Sequence, residues 1–288
     1  MPEQNFLYFK SRDDLQLFAK EYVNSSANEK ILCLHGITRN CSDFEGLCEN
    51  LKDDYHVIAA DQRGRGKSDY DPNFDNYFVG TYVIDMFTLL DNQSIEEVFV
   101  IGTSMGGIMA MMMAVAQPKR IKGIVLNDIG PEVDESGLDR IKSYLGKSSP
   151  VNNWEEATAH AKKINALAFP DFTNNDWLSF AKRLYRENEN GVPELAYDPA
   201  IAKPLANTGE AAAPPDLWSM FEALTDIPML LIRGELSDIL SSECVSEMQH
   251  RKPDMVYQEI TNRGHAPMLD EAESLSAIKK FLSSLSSR

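Results

Sequence analysis

The chain has 288 residues, 43% hydrophobic and 25% charged, a balance that suits a folded interior and argues against intrinsic disorder. Its 44 acidic and 28 basic residues give a formal charge of -16, which repels phosphate backbones and anionic lipid, so neither nucleic acid nor membrane is an expected partner. The start, MPEQNFLYFKSRDD, shows no basic stretch leading into an apolar one, and the longest apolar run, Ile108 to Ala116, falls far short of the roughly 20 residues that span a bilayer, so a cytoplasmic location is expected.

In chain order, Phe6–Lys10 and Leu15–Val23 flank the polar Ser11-Arg12-Asp13-Asp14 and predict an opening hairpin. Short, nearly continuous apolar runs follow at Ile31–Leu34, Val57–Ala60, Val98–Ile101, Ile124–Leu126 and Met229–Ile232, the pattern of parallel strands buried on both faces. Segments with helical spacing lie between them at Phe44–Leu51, Tyr82–Leu90, Met105–Ala116 and Val245–His250; a strand at Val256–Ile260 and an amphipathic helix at Glu271–Leu285 close the chain. The alternation predicts an α/β fold with a mostly parallel central sheet flanked by helices.

From Pro131 to about Thr225 the buried-strand runs stop, and helical stretches appear around Trp154–Leu167 and Asn175–Arg186. The expected organisation is therefore a core of residues 1–130 and 226–288 with a helical cap inserted at 131–225. Pro193, Pro199, Pro204, Pro214 and Pro215 predict that the second half of the insertion is mainly extended loop. Trp154, Trp177 and Trp218 all fall inside it, and packing of the cap is favoured over substrate contact as their role. Cys33, Cys41, Cys48 and Cys244 form no C-x-x-C pair and are read as reduced thiols; the N-x-S triplets at Asn24, Asn40 and Asn92 lack a secretory context.

Gly102-Thr103-Ser104-Met105-Gly106 lies between a buried strand and a helix start, where a sharp turn thrusts a serine out as a nucleophile and leaves no room for side chains two residues to either side. A serine hydroxyl needs an imidazole to take its proton. Of the five histidines, His265 follows the last strand in Asn262-Arg263-Gly264-His265 and reaches the carboxyl-end edge of the sheet, where ligands bind in open α/β folds. His56, His160 and His250 are read as packing or solvated residues. His35 reaches the same edge as His265 but is expected to brace its loop, from which the Ile37 N–H would join that of Met105 in an oxyanion hole. Asp128 and Asp238 both follow buried strands at that edge, and the residues alone leave the orienting acid open between them, with Glu235 a weaker third.

Together, His35-Gly36, Asp61-Gln62-Arg63-Gly64-Arg65-Gly66-Lys67-Ser68, Gly102 to Gly107, Gly234-Glu235-Leu236-Ser237-Asp238 and Gly264-His265 resemble the α/β-hydrolase superfamily over nearly all of the chain outside the insertion. The resemblance implies a serine hydrolase with Ser104 as nucleophile, His265 as base and Asp238 as acid, since most members carry the acid after the strand that Gly234 ends. Some use the preceding strand, the place of Asp128. It further implies that Asp61 to Ser68 buttresses the site and that a small acyl compound, foremost a carboxylic ester, is the substrate. Lactone opening, carbon–carbon hydrolysis, acyl transfer and ligand binding without turnover are alternatives on the same residues. A serine at position 104 argues against the dehalogenases and epoxide hydrolases of the fold, which resemble this chain but place aspartate there.

No cofactor or metal is expected. Asp61 stands where a P-loop needs glycine, and Asp69 where a dinucleotide fingerprint needs its third.

Overall fold

In the computed structural model, which describes residues 4–147, 150–206 and 216–286, the opening hairpin is β1 (Gln4–Lys10) and β2 (Gln16–Tyr22). There follow β3 (Lys30–Leu34), α1 (Glu45–Leu51), β4 (His56–Asp61), α2 (Val79–Asn92), β5 (Val98–Thr103), α3 (Met105–Ala116) and β6 (Ile121–Asn127). After an insertion the core resumes with β9 (Met229–Gly234), α9 (Ser242–Arg251), β10 (Val256–Ile260) and α10 (Ala272–Ser286). The eight core strands form one sheet in the order β1-β2-β4-β3-β5-β6-β9-β10. β1 and β2 run antiparallel to their neighbours, and from β4 onward every pairing is parallel.

The apolar runs that announced the strands are explained by burial on both faces. Ile31 and Cys33 pack with Leu47, Cys48 and Leu51 of α1 and with Ile278, Phe281 and Leu282 of α10. Leu32 and Leu34 of the same strand face the opposite layer, with α2, α3 and α9. Of these, α3 is buried along most of its length because it lies against the sheet centre, so its sequence is apolar on nearly every side.

The insertion holds α4 (Glu135–Tyr144), α5 (Trp154–Asn165), α6 (Asn174–Leu184), β7 (Tyr185–Glu187), β8 (Pro193–Leu195), α7 (Lys203–Ala206) and α8 (Leu217–Glu222). Its proline-rich part is more regular than the extended loop expected from the sequence. Pro193 opens β8, which pairs antiparallel with β7, and Pro199 starts a 3-10 turn where its missing N–H costs nothing. Pro214 and Pro215 lie outside the described residues. An apolar centre of Phe169, Trp177, Phe180 and Leu184 holds the inserted helices together, and Met268 from the His265 loop packs into it.

The Asp61–Ser68 stretch ties β4 to its surroundings. Arg63, nearly fully buried, pairs with Asp85 of α2, Asp71 and Asp13 of the hairpin turn. Removing the buried cation would strand the Asp71 and Asp85 carboxylates, which water does not reach, and through Asp13 the cluster fixes the hairpin against the core.

Candidate active site

Ser104 sits between β5 and α3 with φ 53° and ψ -117°, a left-handed backbone that lifts its side chain off the sheet edge. The flanking glycines are a steric requirement. A Cβ on Gly102 would stand 2.3 Å from the Gly106 carbonyl oxygen, and one on Gly106 would stand 2.0 Å from the Leu34 carbonyl oxygen. Either alanine would force β5, α3 and β3 apart at the point that sets the serine.

His265 Nε2 lies 2.9 Å from Ser104 Oγ, and its Nδ1 lies 2.8 Å from Asp128 Oδ2. The structure thus brings Ser104, His265 and Asp128 into one hydrogen-bonded row, although Asp128 and His265 are far apart in sequence. Asp128 directly follows β6, itself at φ 56°, and is fully buried. Three donors saturate its carboxylate: the Gly234 N–H on Oδ1 at 2.8 Å, and the Ser237 hydroxyl at 2.6 Å and His265 on Oδ2.

The expected partnership of Asp238 with His265 is corrected by this geometry. Asp238 makes no hydrogen bond to His265; its carboxylate faces α4 and takes both Nε and Nη2 of Arg140, at 2.5 and 2.8 Å. The turn after β9 explains why. Ser237 Oγ accepts the N–H groups of Ile239 and Leu240, which folds the chain so that Ser237 points at Asp128 and the next side chain points outward. Burial alone would raise the Asp238 carboxyl, but Arg140 outweighs it and holds the group below the usual carboxylate range. Glu235, the third candidate, accepts the Asn262 N–H instead.

His35 braces its loop. Its Nε2 accepts the Gln62 N–H at 3.0 Å, so Nδ1 carries the proton and donates to the Gly36 carbonyl at 2.7 Å. In a trans peptide the Ile37 N–H points opposite to that carbonyl. Arg65 Nε fixes the next carbonyl, Ile37 O, at 3.0 Å. Neither the Ile37 nor the Met105 N–H donates to another group among the described residues, which leaves both free for a developing oxyanion.

Two positioning residues went unnoticed in the sequence. Ser237 anchors the acid as described. Asn127, fully buried beside Asp128, donates through Nδ2 to Thr103 Oγ1 at 3.0 Å and to the Pro267 carbonyl at 2.8 Å, linking the strand before Ser104 to the His265 loop. The signal was present: Asn127-Asp128 places two consecutive polar residues at the end of a buried apolar strand, and such groups need a specific partner.

Ser104 and His265 open into a cleft whose roof comes from the insertion: Ile141 and Tyr144 of α4, His160 and Ile164 of α5, Phe180 and Leu184 of α6. None of the three tryptophans lines it. Trp177 belongs to the centre of the insertion, Trp154 donates to Glu187, and Trp218 donates to Glu132 under Arg251. Among the described residues no group of three or more His, Cys, Asp or Glu is arranged to hold a metal, and no helix is long and apolar enough to cross a membrane.

Residues 30–272 match the family described as alpha/beta hydrolase fold. A 3-hydroxybutyrate-oligomer hydrolase of Cupriavidus necator is 33% identical over 287 residues, covering 97% of each chain. The esterase YbfF of Escherichia coli is 25% identical over 277 residues, 93% of this chain and 98% of its own. A crystal structure of an alpha/beta hydrolase from Novosphingobium aromaticivorans superposes with a TM-score of 0.92 at 38% identity, covering 98% of this chain and 99% of that one.

Proposed function

The chain belongs to the α/β-hydrolase fold family, and from that premise we propose that it hydrolyses a carboxylic ester through an acyl-Ser104 intermediate, with His265 as base and Asp128 as the orienting acid. One observation carries the reading: the unbroken row from Ser104 Oγ through both ring nitrogens of His265 to a buried, fully hydrogen-bonded Asp128. His265 takes the serine proton at Nε2 as Oγ attacks the acyl carbon, and the Ile37 and Met105 N–H groups stabilise the oxyanion. Collapse expels the alcohol, which receives the proton from His265. Water then attacks the acyl-enzyme, giving its proton to His265, and the carboxylic acid leaves as Ser104 regains a proton. Asp128 holds the ring with Nδ1 protonated and stabilises the imidazolium that forms twice in the cycle.

The similarity to a 3-hydroxybutyrate-oligomer hydrolase over nearly the whole of both chains makes a short linear ester of a hydroxy acid the substrate class we favour. In the same reading, residues 131–225 act as a cap that limits substrate size, supported by the side chains they contribute to the cleft roof.

A fluorophosphonate probe tests the chemistry. It is expected to label the wild type one to one and to leave Ser104→Ala unlabelled, with 4-nitrophenyl butyrate turnover lost in Ser104→Ala and His265→Ala. Stoichiometric labelling of Ser104→Ala would refute the mechanism. Release of 3-hydroxybutyrate from its linear dimer tests the substrate class separately.

A further inference from the structure

The chain carries a large acidic excess, yet the charged side chains that line the cleft reverse it: Arg39 and Lys147 against Asp43. His160, also in the wall, is held below the ordinary histidine value by burial and by Lys163, so it adds no charge near neutral pH. Just outside, Arg140 and Asp238 cancel each other. The side chains on the cleft surface therefore sum to one positive charge, while the one carboxylate behind His265, Asp128, is buried and saturated with hydrogen bonds, in a molecule whose overall field opposes anions.

Arg39 is built for more than its pairing with Asp43. It grips that carboxylate side-on through Nε and Nη2, both at 2.6 Å, while its guanidinium lies 4.3 Å from the Phe180 ring centre. Clamped between a carboxylate and an aromatic face, the fork is rigid, and Nη1 has no partner among the described residues. It also stands close to the chemistry. The point above Gly36 where a side chain would begin is 3.5 Å from Arg39 Cγ and 3.7 Å from Ser104 Cβ. Lys147, an exposed residue of the lining just past the end of α4, places its N–H on the Tyr144 carbonyl, and no ion pair holds its ammonium among the described residues.

We propose that this wall of the cleft binds a carboxylate carried by the substrate, through the open edge of Arg39 and the ammonium of Lys147. The inference rests on the ester-hydrolase reading and deepens it: the substrate is an ester that also bears a free acid. With Arg39 already paired to Asp43, Lys147 is the one unpaired cation of the lining, which suits a single carboxylate. The apolar side chains of the lining, among them Phe44, Phe169, Leu184 and Met268, take the remainder. A linear polyester has one free carboxylate, at its end, so this site engages the chain at that terminus.

Calorimetric binding of hexanoate and hexanamide to the purified protein tests the site without relying on turnover. Hexanoate is expected to bind about tenfold more tightly than its amide, with most of that ratio lost in Lys147→Met and in Arg39→Lys, which keeps a cation beside Asp43 but removes the fork. Equal affinities in the wild type, or a ratio unchanged in both variants, would overturn the carboxylate site. Turnover separates this from the underlying reading: absence of 4-nitrophenyl butyrate hydrolysis overturns the ester mechanism whatever hexanoate does. With both intact, the free acid of the 3-hydroxybutyrate dimer is expected to show a KM about tenfold below that of its methyl ester, and equal KM values would count against the site.

Discussion

Two aspartates follow adjacent strands at the edge of the sheet where His265 sits, and their surroundings set different tasks for them. Asp128 is dry, receives three hydrogen bonds and meets His265 Nδ1; Asp238 is half-buried and belongs to Arg140. Asp128→Asn is therefore expected to lower kcat by on the order of a few thousandfold, because an amide can present its NH2 to Nδ1 and favour the wrong tautomer. Asp238→Asn should lose no more than about tenfold, and steady-state kinetics on the two variants decides the assignment; a larger loss in Asp238→Asn would move the acid. Ser104 and His265 were legible because each sits in a local pattern, a glycine-flanked strand end and a Gly-His loop. The acid was not, since Asp128 and Asp238 follow equivalent strand ends and differ only in what lies across space. Arg140, which claims Asp238, is 98 residues away in the chain.

Helix α4 joins the insertion to the turn after β9 at close quarters. Gly137 lets it approach so near that a Cβ there would meet the Asp238 carbonyl oxygen at 2.2 Å, and Arg140 fastens the next turn of the helix to the Asp238 carboxylate. Ser237, beside that contact, holds Asp128. The pair is partly solvated, so Arg140→Met should cost only about 1 kcal/mol in a urea melt. Its larger effect is expected on substrate binding, with KM for 4-nitrophenyl butyrate rising severalfold while kcat stays within about twofold. Unchanged KM would mean that α4 is held by packing alone. The base loop is tied to the insertion as well, through the Gly264 N–H on the Ala168 carbonyl at 2.8 Å and Met268 in the apolar centre. Element types in the core were readable from apolar runs and helical spacing. The β7–β8 ribbon was not, being two three-residue strands too short to show a period.

Across the whole molecule, two fully buried groups act on the acid side of the stability profile and oppose one another. Burial lowers His35 to about 4, so as pH falls from about 6.5 the unfolded chain takes a proton that the fold refuses, and stability drops until about pH 4. Burial raises Asp61 to about 6, against the Cys41 and Lys67 N–H bonds that favour its charge; below that pH the fold takes up a proton before the unfolded chain does, and stability is gained. The two slopes largely cancel between about pH 6 and 4. Asp61→Asn removes the gain, so its melting temperature should fall more steeply over that window than the wild type's, whatever its value at pH 7; parallel curves would show that Asp61 does not titrate there.

The sheet itself pairs β6 directly with β9, Ile124 opposite Met229, with on the order of a hundred residues threaded out and back between them. Closing so long a loop costs entropy that grows only with the logarithm of its length. Halving or doubling the intervening chain changes that cost by only about 0.6 kcal/mol, less than burying a single methylene contributes. The core is thus nearly indifferent to how much polypeptide it carries over this edge, and the part that roofs the cleft is free to lengthen, shrink or be exchanged while the row of Ser104, His265 and Asp128 stays where the strands put it.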